Sequence, residues 1–151
     1  MDPVTFDAAA IENIDDIMEI ENLSFPSPWD RATFLATFSD ERCSNIVARS
    51  SGRIVGYCLA IEMNAMVHLL NLAVHPDYRN SGIAGDMLDE MESFAKRKNK
   101  AYVFLEVRKS NKVARYLYEN RGFYHLSTWH GYYTDTGEDA DVMIRRIKEG
   151  G

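Results

Sequence analysis

The 151 residues contain two cysteines, four prolines and nine glycines. Cys43, near a loop, and Cys58, inside an apolar run, are too few for a disulfide framework and read as ordinary thiols. The four histidines, His68, His75, His125 and His130, lack the spacing of a HExxH-type ligand set, so no metal is expected and none of them is given a role. There is no Pro/Gly/Ser-rich tract and no internal repeat, which leaves no linker to divide the chain; a single domain, 1–151, is expected. No stretch approaches the roughly 20 consecutive apolar residues of a membrane span. The first residues, "MDPVTFDAAAIENIDD", are acidic where a secretion signal would be basic, so the expected location is cytoplasmic. A basic excess is missing too: 17 Lys and Arg against 23 Asp and Glu give a net charge of −6. That balance argues against a nucleic-acid partner and accommodates neutral or cationic ones. The one basic run, "KRKNK" at 96–100, falls where a helix would end, and cations there complement the helix dipole.

With 46% hydrophobic residues, a full core can be built. In "AAAIENIDDIMEIENLSF" the spacing of Ile11, Ile14, Ile17, Met18 and Leu23 predicts one face of a helix. "FPSPW" stops it, and Trp29-Asp30 opens a second short helix in "WDRATFLATF". "SNIVARS" and "RIVGYCLAIEM", joined by Ser51-Gly52, read as a β-hairpin, and "MVHLLNLAVH" as the next strand. A helix over 82–97, the strand "AYVFLEV", a helix over 111–120 and strand-like stretches at "YHLSTWH" and "ADVMIRRI" complete the chain. With a further strand at 3–6, the order describes an α/β domain on a mixed sheet.

The stretch "HPDYRNSGIAGDML", 75–88, joins a strand to a helix whose apolar stripe is Ile83, Met87, Leu88, Met91, Phe94 and Ala95. The helix starts near Gly82, where the first turn leaves N–H donors unpaired and the dipole is positive, and an anion such as phosphate is the natural ligand. The competing reading is a plain turn. Neither GxxxxGK[ST] nor GxGxxG is present, so the loop is not one of the two common nucleotide fingerprints. Its pattern is Arg-x-x-Gly-x-Ala, set by Arg79, Gly82 and Ala84.

On these residues "LNLAVHPDYRNSGIAGDML" resembles motif A of the GNAT superfamily of acyl-CoA-dependent N-acetyltransferases, with Ala84 where a second glycine is commoner. "LEVRKSNKVARYLYENRGFY" is similar to the superfamily's motif B region. In detail it resembles the bacterial ribosomal-protein alanine N-acetyltransferases (RimI), as do "FPSPW" and "GYYTDTGEDADVMI". One departure is Thr134, where that subfamily carries a proline after the Tyr-Tyr pair. The resemblance implies an α+β fold: a central mixed, mostly antiparallel sheet flanked by about four helices and splayed where acetyl-CoA binds. It also implies that Arg79, Asn80, Ser81, Gly82, Ile83, Ala84 and Gly85 cradle the coenzyme A pyrophosphate, and that the backbone at Leu72, Ala73 and Val74 holds the pantetheine arm and the thioester oxygen.

Acetyl transfer to an amine needs a base and an acid. Alternation along "AYVFLEVR" puts Glu106 on one face with Tyr102 and Phe104. A carboxylate in partly apolar surroundings can serve as general base, whereas a glutamate at a strand end is commonly solvated or paired, here with Arg108. The resemblance assigns Glu106 the base role and Tyr118 the protonation of the departing thiolate. The helical spacing of Val113, Ala114, Leu117 and Tyr118 reads first as an inward-packed stripe. Asn111 stands at the expected helix N-cap and could contact the cofactor as well, and Gly122 reads as the helix stop. Phe25, Pro26, Trp29, Tyr132 and Tyr133 lie in segments that could flank the acceptor, although loop aromatics are more often packing residues.

An α-amine with pKa near 7.7–8.0 is roughly 10 to 20% neutral at pH 7, against about 0.04% for lysine, which favours an N-terminal acceptor. The resemblance points to a protein or peptide N-terminus, in particular an N-terminal alanine of a small-subunit ribosomal protein. Two alternatives stay open: a small-amine acetyltransferase acting on a polyamine or amino sugar, and a silent acetyl-CoA-binding module.

Overall fold

The structure is a computed structural model that describes residues 2–147. The strands are β1 (Val4–Ala8), β2 (Cys43–Ser50), β3 (Arg53–Glu62), β4 (Met66–Val74), β5 (Tyr102–Arg108), β6 (Tyr124–Tyr133) and β7 (Glu138–Arg146). The helices are α1 (Ile14–Ser24), α2 (Arg31–Phe38), α3 (Ile83–Arg97) and α4 (Lys112–Asn120). The element order agrees with the one read from the sequence. Seven strands form one sheet in the order β1-β2-β3-β4-β5-β7-β6. Pairing is antiparallel at β1–β2, β2–β3, β5–β7 and β7–β6, and parallel at β4–β5. The described chain divides into two compact units, 2–62 with 69–91 and 63–68 with 92–147.

In the first unit the β2–β3 hairpin closes through Ser51 (φ 52°) and Gly52 (φ 77°), both in the left-handed region that a two-residue primed turn demands. The core joins Ile14, Ile17 and Ile20 of α1, Phe34 of α2, Val47, Ile54, Tyr57, Leu59 and Ala73. Each large apolar side chain buried this way contributes about 1.5–3 kcal/mol. Phe34 meets Tyr57 edge-on, with ring centroids 6.1 Å apart. Gly56 lets β3 approach closely: a Cβ there would lie 3.0 Å from the Ala73 carbonyl oxygen and 3.1 Å from Met87 Cε.

The α1 face differs from the expectation. Ile11 falls in a 3₁₀ turn, Ile11–Asn13, ahead of the helix and is exposed, as is Leu23. At 100° per residue Leu23 lies roughly 120° around the helix from Ile17, whereas Glu21 lies roughly 40° from it. Glu21 accordingly takes the buried position, with 1% of its surface exposed. α2 is capped by Asp30, whose carboxylate accepts the Thr33 N–H at 2.8 Å.

In the second unit β5 alternates as expected: Val103, Leu105 and Val107 are buried, while Tyr102, Phe104 and Glu106 share the other, half-buried face. The helix α4 opens on Asn111, whose Oδ1 accepts the Ala114 N–H at 3.1 Å, and Gly122 (φ 88°) follows its end in the left-handed region. Val113, expected inward, is 81% exposed. It lies roughly 140° around the helix from the buried Tyr118, so the half-buried Arg115, roughly 60° away, shares the inner side instead. Arg115 pairs there with the buried Asp141 at 2.9 Å.

The expected α3 stripe is present, with Ile83, Met87, Leu88, Met91, Phe94 and Ala95 all buried, and Lys96 and Arg97 occupy its last turn. No helix among the described residues is long and apolar enough to cross a membrane.

Candidate active site

The first unit holds the loop. β4 ends at Val74, and the His75 N–H donates to the Val55 carbonyl at 2.8 Å, tying the strand's exit to β3. Pro76–Tyr78 form a 3₁₀ turn, Arg79 is extended, and Asn80 (φ 62°) and Gly82 (φ 85°) take left-handed conformations. The Asp86 N–H donates to the Gly82 carbonyl at 3.0 Å, which fixes the first turn of α3. Helix geometry then leaves the N–H groups of Ile83, Ala84 and Gly85 without an intrahelical acceptor. Gly82 has no side chain with which to cap them. The Arg79 guanidinium donates to the Val74 carbonyl at 2.9 Å and to Ser24 Oγ at 3.1 Å, so it braces the loop against the end of β4 and the end of α1. Ser81 Oγ donates to the Tyr78 carbonyl, while Asn80 and Ser81 remain exposed. Ala73 and Val74 are buried and Leu72 is half-buried, so this end of β4 is also core. Phe25 and Trp29 pack against the first unit's core, with Trp29 5.2 Å from the Phe34 ring.

The second unit gathers the ionisable groups. The parallel ladder of β4 and β5 pairs Met66–His68 with Tyr102–Phe104. It sets the His68 ring flat on Phe104, with centroids 4.3 Å apart and planes 9° from parallel. Two residues along, Glu106 presents a side chain only 10% exposed, and its Oε2 lies 2.5 Å from His68 Nε2. An ionised carboxylate only accepts, so Nε2 carries the hydrogen in this pair. Tyr132 donates its hydroxyl to Glu106 Oε1 at 3.4 Å. Burial, followed by the nearby Glu106 charge, raises the Tyr132 hydroxyl above its ordinary range and keeps it a donor. Tyr133 meets Tyr132 edge-on at 5.1 Å, and burial pushes its hydroxyl up to about 12 although Arg108 opposes the shift.

Arg108 is not the partner of Glu106. It bonds Asp135 at 2.8 Å, lies 3.6 Å from Glu138 and stacks 4.0 Å over the Tyr133 ring, because the β5–β7 pairing brings the β6–β7 turn over the end of β5. Tyr118 is buried on α4 beside Phe123, ring centroids 5.7 Å apart.

Sequence reasoning missed His68. Alternation along β4 turns it away from the buried Val67 and Leu69, but its meeting with Glu106 depends on the β4–β5 register, which local spacing does not encode. Among the described residues no group of three or more His, Cys, Asp or Glu side chains could hold a metal ion.

The family model described as "Acetyltransferase (GNAT) family" matches residues 14–123. The chain belongs to the GNAT acetyltransferase family. It is accordingly an N-acetyltransferase, and GNAT acetyltransferases use acetyl-CoA. This GNAT chain is 32% identical to the ribosomal protein bS18-alanine N-acetyltransferase of Escherichia coli K12 over 130 residues, 85% of this chain and 87% of the relative. It is 31% identical to an N-alpha-acetyltransferase of Saccharolobus solfataricus, over 92% of this chain and 90% of that protein. The crystal structure of the Escherichia coli ribosomal-protein-S18-alanine N-acetyltransferase superposes with a TM-score of 0.90 at 28% identity, covering 99% of this chain and 97% of that one. The mixed, mostly antiparallel sheet with four helices is therefore the GNAT fold that the sequence implied.

Proposed function

We propose that this enzyme transfers the acetyl group of acetyl-CoA to the α-amine of a peptide N-terminus, with an N-terminal alanine of a small-subunit ribosomal protein as its natural acceptor. The observation that carries the reading is the Glu106 carboxylate, 10% exposed, with one oxygen on His68 and the other on Tyr132. The acceptor class follows from similarity to relatives named for bS18-alanine and N-alpha acetylation. A ribosomal acceptor implies action in the cytoplasm. The family match runs from residue 14 to 123, and the proposed catalytic domain is the single domain 1–151.

Glu106 takes the proton of the attacking amine, directly or through one water. The His68 N–H on Oε2 holds the carboxylate in place and leaves Oε1 toward the acceptor. The 3.4 Å bond from Tyr132 is long for an O–H···O contact and yields readily to an incoming N–H. As the amine nitrogen bonds to the thioester carbon, backbone donors at Leu72, Ala73 and Val74 stabilise the oxygen that gains charge. When the C–S bond breaks, the Tyr118 hydroxyl gives its proton to the thiolate. The N–H groups of Ile83, Ala84 and Gly85, with Asn80, Ser81 and Gly82 shaping the turn and Arg79 bracing it, receive the pyrophosphate. Asn111 caps α4, the helix that carries Tyr118. Phe25 and Trp29 in the first unit, and Tyr132 and Tyr133 in the second, are each assigned to the acceptor, as the resemblance implies.

The deciding experiment incubates the protein with acetyl-CoA and an alanine-initiated peptide containing one internal lysine, and locates the acetyl group by fragmentation mass spectrometry. Acetyl on the N-terminal nitrogen alone is the expected result. Acetyl on lysine would overturn the α-amine reading, and transfer only to a polyamine or amino sugar would make this a small-amine enzyme.

A further inference from the structure

The buried face of α1 carries one acid. Glu21 is 1% exposed, and its side chain receives three hydrogen bonds from three different segments. Oε1 accepts from the Tyr57 hydroxyl of β3 and, at 2.7 Å, from Asn71 Nδ2 of β4. Oε2 accepts the backbone N–H of Trp29 at 2.9 Å. The backbone carbonyl of Glu21 accepts the Phe25 N–H at 3.1 Å. One residue thus grips both ends of the segment Phe25–Trp29.

Pro26 and Pro28 have no N–H to give, so of that segment's five residues only Ser27 has a backbone donor beyond the two that Glu21 holds. The segment has no helix or strand ladder to fix it. An apolar side chain could fill the same slot under α1, yet it would leave the Tyr57 hydroxyl and the Asn71 amide unpaired in the interior and the half-buried Trp29 N–H without this acceptor. Burial, with the Glu21 charge, drives the Tyr57 hydroxyl far above its ordinary range, which keeps it a donor. Asn71 lies on β4, so the carboxylate that holds Trp29 ties the Phe25–Trp29 segment to that strand through a side chain.

We infer that Glu21 is a positioning residue for the acceptor: it fixes the Phe25–Trp29 segment to β4 and thereby sets affinity for the amine substrate and not for coenzyme A. The inference rests on the reading of Phe25 and Trp29 as acceptor-flanking residues.

The test compares Glu21→Gln and Tyr57→Phe with the wild type. Three quantities are measured: steady-state kinetics on the alanine-initiated peptide, coenzyme A binding by calorimetry, and hydrogen exchange at the Trp29 amide. Glutamine keeps the shape but offers one acceptor oxygen to three donors. Glu21→Gln is expected to raise the peptide KM about tenfold or more, to leave coenzyme A affinity within about twofold and to speed exchange at Trp29. Tyr57→Phe removes a donor from the other oxygen and should leave the peptide KM within about twofold. Equal weakening of peptide and coenzyme A, or an equal rise in peptide KM from both variants, would mark a general core defect and overturn the inference. If Glu21→Gln does not fold, wild-type exchange decides: an unprotected Trp29 amide overturns the clamp and a protected one supports it. A wild type that transfers no acetyl group to any peptide overturns the functional reading and the acceptor role of the clamp together. Normal transfer with Glu21→Gln unchanged in KM and exchange overturns the clamp alone.

Discussion

His68 and Glu106 come from different strands, 38 residues apart, and meet at 2.5 Å with both side chains largely withdrawn from water. The contact exists because β4 and β5 run parallel with His68 opposite Phe104, so that the next residue on the same face of β5, Glu106, lies within reach of the imidazole. A carboxylate fixed on one oxygen offers the other in a defined direction, which is what a proton acceptor needs.

Glu106→Gln removes the base while preserving shape. The expected loss in kcat on the alanine-initiated peptide is on the order of 10²–10³-fold, with coenzyme A affinity unchanged. A wild-type rate in the variant would remove Glu106 from the chemistry.

Tyr118→Phe deletes one oxygen from a ring that is 8% exposed and packed on Phe123, so the fold should be retained. The expectation is a kcat reduced about 10²-fold with little change in coenzyme A binding. Loss of binding with kcat preserved at saturation would make Tyr118 a cofactor contact and not the acid.

The parts legible in the sequence were those encoded by short-range periodicity. The α3 stripe, the alternation of β5, the Ser51-Gly52 turn and the Arg79-x-x-Gly82-x-Ala84 loop each reflect a local rule, and each stands in the structure where the spacing put it. Errors arose where a charged residue takes an inner position. An acid between apolar residues reads as a solvated face, yet Glu21 lies nearer the centre of the α1 face than Leu23 and finds three donors there. Arg115 likewise shares the inner side of α4 because Asp141 of β7 is there to pair with it, and Val113 is left outside. His68 and the Arg108–Asp135 pair depend on strand register and on a turn folded over from later in the chain. No window of ten residues carries that information.

Acid stability should depend on Glu138. Its carboxylate accepts the Ser110 N–H at 2.6 Å and lies 3.6 Å from Arg108, and these contacts pull its pKa below the ordinary 4.5, the Ser110 hydrogen bond being the larger cause. A folded-state pKa below the unfolded one favours the ionised form in the native protein. The contribution is therefore complete above about pH 4.5 and is lost as pH falls through the folded value. Glu138→Gln should melt earlier than the wild type at pH 7, with the two melting curves converging in strong acid. Parallel curves at every pH would show that Glu138 is not coupled to folding.

Gly82 joins conformation to ligand binding at a single position. Its φ of 85° suits glycine, yet an ideal Cβ there would meet no atom within 4 Å, so a substitution acts on the backbone and not by collision. A β-branched residue held in this region costs on the order of 1–3 kcal/mol, and the chain relieves it by turning the peptide units around residue 82. Those units aim the first N–H groups of α3, so a small rotation misdirects donors that must converge on the pyrophosphate. Gly82→Val should consequently lower coenzyme A affinity by about tenfold or more, with the circular dichroism spectrum unchanged. Gly82→Ala, with less strain, should fall between that variant and the wild type. Calorimetric titration with coenzyme A measures both, and wild-type affinity in the valine variant would mean that the pyrophosphate is held by some other part of the chain.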